Sequence, residues 1–425
     1  MIEPGTAEPL PYQEELIDHL VEGFAKHQCM ADASGTGVGK TFVALFTAKR
    51  LGLRPLVICP KSVLPAWKEA YEAVGGEAPV IFSNYESLKT GRRAYFKWIS
   101  GKRTGEWRIP DNTLLIFDEA HRCRNRTSQN AKMLVAAVNS GRSVLMLSAT
   151  LAENPMHMFA TGMALGLYQK GHYWPWAQMN GVTRGRFGWE YIGGSAGMQK
   201  IHAEIFPEKG VRKKPADLPG FPDNYVTTVQ LPMLCPMDID DIWEELQQKK
   251  LLDEPLPLVE QLRIRQEVEL FKIPSLVEMT KDAVAEGNNV VLFLNFRDSI
   301  DVALKGLISL EARALTGDTN DYERLKLIGD FQSNKLNVLV CQARAGGEGI
   351  SLHDVNGRPR VSLINPSYSA TELIQCLGRI HRAGSQSPAV QKLCFAEGSE
   401  VESRIRRQVQ NKLSNLEALN DGDLV

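Results

Sequence analysis

The chain has 425 residues, 43% hydrophobic and 23% charged, which predicts about two or three soluble globular domains. Lys and Arg total 49 against 50 Asp and Glu, so bulk charge excludes a polyanion-coating protein and any nucleic-acid surface must be a local patch. The seven cysteines are scattered without metal spacing, the start is acidic and proline-bearing, and the apolar runs are far shorter than the ~20 residues of a membrane span. The expectation is a reduced cytoplasmic protein, neither secreted nor membrane-bound, with no structural metal.

In chain order, short apolar runs alternate with longer amphipathic stretches. The first half offers strands at 56–59, 80–82, 114–117 and 144–147. The second offers 290–294, 312–315, 337–341, 361–364 and 391–395. Nearly continuous apolar character in runs this short predicts parallel α/β architecture with helices on both sheet faces. Residues 1–154 read as lobe one and 229–425 as lobe two. Between them, 155–228 is rich in Gly, Pro and aromatics and then basic, as an insertion followed by a linker would be. A polar helical stretch, 236–285, precedes the first strand expected in lobe two. At the C-terminus Val401, Ile405, Val409 and Leu413 share a helical face, expected to pack on lobe two.

Three strings carry chemistry. Ser34-Gly35-Thr36-Gly37-Val38-Gly39-Lys40-Thr41 is a variant P-loop, with Ser34 at the first glycine of the strict pattern. Its glycines let successive N–H groups face a polyphosphate, Lys40 would reach the β/γ-phosphates, and the Thr41 hydroxyl would coordinate Mg²⁺. Asp118-Glu119-Ala120-His121 follows an apolar strand, where an open sheet places its ligand. Asp118 would hold Mg²⁺, and Glu119 would orient and deprotonate a water. In Gln375-Cys376-Leu377-Gly378-Arg379-Ile380-His381-Arg382, two arginines three apart would share a helical face and could stabilise transferring phosphate.

Together these strings resemble motifs I, II and VI of superfamily 2 helicases and translocases. Pro11-Tyr12-Gln13 is similar to the adenine-reading Q motif, Pro60-Lys61-Ser62 with Trp67 to motif Ia, and Ser83-Asn84-Tyr85-Glu86 to motif Ib. Ser148-Ala149-Thr150 resembles motif III, and Ala345-Gly346-Gly347-Glu348-Gly349-Ile350-Ser351-Leu352 motif V. Within the superfamily the chain resembles the Swi/Snf-type duplex DNA translocases, through these motifs and through Arg212-Lys213-Lys214 with Asp217-Leu218-Pro219 between the lobes.

The resemblance implies two RecA-like parallel-sheet lobes with an ATP cleft between them, and ATP and Mg²⁺ as cofactors. Gln13 would read adenine, and residues Ser34 to Thr41 would hold the nucleotide. Lys40, Asp118, Glu119, Gln375, Arg379 and Arg382 would carry catalysis, with Thr41 and Asp118 on the metal. His121, Ser148, Ala149, Thr150 and Gly349 would couple hydrolysis to movement. Lys61, Ser62, Asn84, Tyr85 and Gly347 would line the nucleic-acid track.

The function implied is an ATP-driven DNA motor, on duplex or branched DNA, for branch migration or fork remodelling in a bacterial or phage-infected cell. A strand-separating helicase on single-stranded DNA or RNA is the alternative. A non-catalytic nucleotide-binding scaffold fits poorly, because every catalytic position is filled.

Two regions keep two readings. Lys89, Arg92, Arg93, Lys97, Lys102, Arg103 and Arg108 surround Tyr95, Phe96, Trp98 and Trp107, either as a nucleic-acid patch or as a solvated loop with core aromatics. The cluster Tyr173, Trp174, Trp176, Trp189 and Tyr191 is expected to be a small core, with a strand-separating wedge as the alternative.

Overall fold

A computed structural model of the chain describes residues 5–76, 79–91, 93–99, 101, 104–186, 188–232, 258–346 and 350–421. The chain divides into two compact units, Met1–Pro219 together with Asn411–Val425, and Gly220–Gln410.

Unit one holds β1 (Cys29–Asp32), β2 (Arg54–Cys59), β3 (Ile81–Asn84), β4 (Phe96–Ile99), β5 (Thr104–Trp107), β6 (Thr113–Asp118), β7 (Ser143–Leu147), β8 (Val182–Gly185), β9 (Gly188–Tyr191) and β10 (Gly210–Val211). Six of them form one parallel sheet in the order β10-β1-β7-β6-β2-β3. Successive side chains in a strand point to opposite faces. Thus Leu56, Ile58, Leu115, Phe117, Val144 and Met146 enter one core, while Val57, Cys59, Leu114, Ile116, Leu145 and Leu147 enter the other. Burial on both faces is why these runs are apolar throughout. β1 and β10 are not among the strands read from the sequence, and the two residues of β10 are too few to show a pattern.

The basic, aromatic stretch forms the β4–β5 hairpin. Phe96 and Trp107 are buried and pack at 4.6 Å. Trp107 Nε1 donates to the Met133 carbonyl at 3.1 Å, and Trp98 Nε1 to the Leu88 carbonyl at 2.9 Å. The aromatics therefore hold the hairpin to the domain rather than await bases. Arg108 is paired with Glu106 at 2.9 Å, while Lys97 and Arg93 are exposed. Arg92, Lys102 and Arg103 lie outside the described residues.

The first part of the 155–228 segment packs into unit one. Met158, Tyr173, Trp176, Met198, Ile201 and Ile205 join the same core as the sheet residues. Trp174 stacks on Trp189 at 4.3 Å, as expected of a packed aromatic group. β10 then adds an edge to the main sheet.

Unit two contains β11 (Asn224–Leu231), β12 (Asn289–Leu294), β13 (Arg313–Leu315), β14 (Val338–Gln342), β15 (Arg360–Ile364) and β16 (Ala389–Ala396). They form a second parallel sheet in the order β11-β16-β15-β12-β14-β13. β11 runs through what reads in the sequence as the end of the linker. As a solvent-facing edge strand it is exposed over most of its length and lacks the fully buried signature. The helical stretch appears as Leu258–Ala285, and residues 233–257 are outside the described set. A buried network braces this unit, in which Lys272 Nζ donates to Glu402 Oε1 at 2.5 Å, to the Cys394 carbonyl at 3.1 Å and to Asn365 Oδ1.

The C-terminal helix Glu400–Asp421 corrects an expectation. Ile405 and Val409 are buried in its unit-two portion, but from Asn411 onward it belongs to unit one, where Ala418 and Leu419 enter the main core. The apolar residues after the four-residue stripe redirect it. No helix among the described residues is long and apolar enough to cross a membrane.

Candidate nucleotide site

In unit one the motif residues leave the C-terminal ends of adjacent strands, where parallel α/β sheets bind ligands. The P-loop follows β1, Lys61 and Ser62 follow β2, Asn84 ends β3, Asp118 ends β6, and Ser148 follows β7.

Gly37 and Gly39 have φ of 83° and 92°, a left-handed backbone that winds the loop into the helix Lys40–Arg50. Lys40 folds back, its Nζ donating to the Ser34 and Gly35 carbonyls at 2.8 Å each. Burial holds its ammonium below the ordinary value, opposed by the carboxylates of Asp32, Glu119 and Asp118. Gln13 is buried against the loop. Its Oε1 accepts the Leu10 N–H at 2.9 Å, and a Cβ on Gly39 would lie 2.5 Å from its Nε2. Tyr12 OH donates to the Val38 carbonyl at 2.9 Å. Thr41 is half-buried in the first helical turn.

The loop is also supported from a distance. Ser34, in place of the usual glycine, donates its N–H to Asp32 Oδ1 at 2.8 Å and accepts the Lys213 N–H on its hydroxyl at 3.1 Å. Gly35 N–H donates to the Lys213 carbonyl at 2.9 Å, and a Cβ there would meet Pro215 Cδ at 2.5 Å and Cγ at 2.9 Å. Gly35→Ala is therefore expected to cost about 1–3 kcal/mol and to weaken nucleotide binding. Thermal unfolding and nucleotide titration read this, and wild-type values in both would contradict the packing argument.

Asp118 is fixed on both carboxylate oxygens: Trp67 Nε1 donates to Oδ2 at 2.8 Å and the Glu119 N–H to Oδ1 at 2.9 Å. Burial, reinforced by the Glu119 carboxylate, pushes it up to about 6. An acid made costly to ionise by its surroundings suits a site that gains a cation. Glu119 sits at φ 53° and ψ 50°, a conformation unusual outside glycine and asparagine that turns the chain into Ala120–Cys123. His121 Nδ1 lies 3.2 Å from both Glu119 Oε2 and Ser148 Oγ, and the Thr150 N–H donates to Ser148 Oγ at 3.2 Å. The structure thus joins Glu119, His121 and Ser148 in one chain of contacts.

Other expected site residues fare differently. Tyr85 is fully buried, with its hydroxyl donating to the Asp118 carbonyl at 2.8 Å. It supports the acidic site from within the core and offers no surface to nucleic acid, which corrects its placement on the track. Asn84 Oδ1 accepts the Ser87 N–H at 2.7 Å as a helix cap. Lys61 is exposed and Ser62 half-buried. Gly347 and Gly349 are outside the described residues.

In unit two, Gln375 and Arg379 lie buried on the helix Ala370–Ile380. Arg382 falls beyond that helix rather than on its face, because His381 takes an extended backbone. The two arginines nevertheless converge. Arg379 Nη1 and Arg382 Nη2 both donate to the Ile350 carbonyl, at 3.1 and 3.0 Å. Asp32, Arg212 and the helix end Asn420-Asp421 were not legible as site residues, and the support that Tyr85 gives Asp118 was not legible either. For Asp32 alone a signal exists, an acid closing the apolar run before the P-loop.

A P-loop, an adjoining acidic pair and an arginine pair on two parallel α/β units define a P-loop motor ATPase. Comparison with known proteins narrows the class. Residues 6–153 match the family described as type III restriction enzyme, res subunit, and residues 272–384 the helicase conserved C-terminal domain. A protein of Acanthamoeba polyphaga mimivirus, named as an ATP-dependent RNA helicase, is 30% identical over 99% of this chain and 85% of its own length. The Caenorhabditis elegans homologue of the SWI/SNF-related matrix-associated actin-dependent regulator of chromatin subfamily A-like protein 1 is 23% identical, over 98% of this chain and 62% of its own. Dbp5 of S. cerevisiae, solved with RNA and ADP BeF3, shares the fold with a TM-score of 0.56 at 13% identity, over 96% of this chain and 88% of that one. The chain belongs to the superfamily 2 helicases and translocases and is a nucleic-acid-dependent ATPase.

Proposed function

We propose that this ATPase translocates along duplex DNA and remodels branched or forked DNA, in a bacterial or virus-infected cytoplasm. The observation that carries the reading is the run of contacts from Asp118 through Glu119 and His121 to Ser148, which ties a water-activating carboxylate to the end of the neighbouring strand. The similarity to the SWI/SNF-related worm protein over nearly the whole chain supports the duplex preference.

In this reading Lys40 leaves the Ser34 and Gly35 carbonyls for the nucleotide phosphates, which the N–H groups of residues 35–41 surround. Gln13 stands beside the loop to meet the base. The Thr41 hydroxyl and the Asp118 carboxylate would hold a Mg²⁺ together with phosphate oxygens. Such an ion would neutralise phosphate charge during transfer. Glu119 takes the proton of the attacking water, and Arg379 and Arg382 answer the charge on the transferring group. Lys61, Ser62, Asn84 and Arg93 contact the DNA backbone, giving affinity without sequence readout. Gly347 is assigned there by resemblance and Arg92 by the basic patch of the sequence.

The name of the mimivirus relative favours a second reading, RNA strand separation. One assay decides between them. With ATP, the protein should displace a third strand from a duplex while leaving the duplex paired. Separation of a partly single-stranded RNA duplex without triplex displacement would favour the second reading.

A further inference from the structure

The end of the C-terminal helix reaches the site at one backbone carbonyl directly and at a second through Arg212. Asn420, 3% exposed, donates from Nδ2 to the Ala149 carbonyl at 2.9 Å. Asp421 beside it accepts from Arg212, Nε to Oδ1 at 2.8 Å and Nη2 to Oδ2 at 3.3 Å, with its side chain 6% exposed. The remaining arm of that guanidinium, Nη1, donates to the Ala33 carbonyl. Behind them His202 Nδ1 donates to the Leu419 carbonyl at 2.8 Å, and the Leu419 side chain is buried in the core.

These carbonyls are not arbitrary. Ala33 leads from β1 into the P-loop, and Ala149 is the middle residue of the Ser-Ala-Thr turn after β7. The two strands are neighbours, with Asp32 opposite Leu147 and the Ser148 N–H donating to the Asp32 carbonyl at 3.1 Å. The helix end therefore clips together two adjacent strand exits that both belong to the nucleotide site. A guanidinium spanning a carboxylate and a carbonyl is a rigid planar link, and withdrawal from water makes its partners costly to separate. His121 then connects Ser148 to Glu119, so the spacing of the two exits bears on the pose of the water-activating carboxylate.

We propose that Asn420, Asp421 and Arg212 are positioning residues for ATP hydrolysis, which set the Ser-Ala-Thr turn against the P-loop and through it the Glu119 side chain. The proposal rests on the ATPase reading of this site and is independent of which polymer stimulates it. It predicts an effect on turnover more than on nucleotide binding, because Lys40 and the loop N–H groups are untouched.

The test uses the full chain with Asn420→Ala, Asp421→Asn, Arg212→Lys, and the double variant Arg212→Lys/Asp421→Asn. Steady-state ATPase, binding of a fluorescent ATP analogue and thermal unfolding are measured for each. The expected result is kcat lower by about tenfold or more, since small misplacements in a catalytic site are costly. Analogue affinity should stay within about threefold of wild type, and the unfolding midpoint within roughly 5 °C. The double variant should fall no further than the worse single variant, because both changes break one link. Wild-type kcat in all variants would overturn the proposal, as would losses of kcat that only track losses of affinity and unfolding midpoint. A wild-type chain without ATPase on any polymer would overturn the ATPase reading and this proposal with it, whereas an active wild type with unaffected variants overturns this proposal alone.

Discussion

Glu119→Gln is expected to bind ATP as the wild type does and to lose turnover by about 10²–10⁴-fold, the usual contribution of a positioned general base. Glu119 follows the strand end that fixes Asp118, in a left-handed backbone that holds its side chain near His121, 3.2 Å away. The amide has the same size and can still meet the imidazole, but it cannot accept a proton from water. Lys40 and the loop N–H groups, which would meet the phosphates, are unchanged. Equilibrium nucleotide binding and single-turnover hydrolysis separate the two effects. Hydrolysis at the wild-type rate would remove the water-activating role from Glu119.

Arg382→Ala is expected to lower nucleic-acid-stimulated ATPase by on the order of 10³-fold or more, as loss of a charge-stabilising arginine does in phosphoryl transfer. Arg382 is the informative arginine of the pair. Arg379 is 3% exposed on a packed helix, so its removal would also disturb folding. Arg382 lies past the helix end and is only half-buried, with Nε donating to the Gly378 carbonyl at 3.1 Å and Nη2 to Ile350. Its loss therefore reports on catalysis with little cost to the fold. Steady-state ATPase with an unfolding control measures it, and a severalfold loss would assign Arg382 to holding the Ile350 segment.

The P-loop and the Asp118-Glu119 pair were legible because their chemistry demands particular residues at fixed local spacing. Long central strands such as β2, β6, β12 and β14 were legible because burial on both faces leaves an apolar run. β11 was not, since an edge strand exposed over most of its length carries no such run. Tyr85 was misread because its motif resembles a nucleic-acid track, whereas its hydroxyl is spent on Asp118 across 33 residues. The supports from Arg212 and Asn420 span 209 and 271 residues, and no local pattern encodes a partner at that distance. The same holds for the end of the C-terminal helix, whose apolar face was visible but whose partner core was not.

The central claim is a motor whose ATP hydrolysis is driven by duplex DNA. Steady-state ATPase with no polymer, duplex DNA, single-stranded DNA and RNA, all at one salt concentration because polymer binding is salt-dependent, tests it most directly. The account predicts the greatest stimulation by duplex or branched DNA. Stimulation by single strands or RNA alone would contradict it.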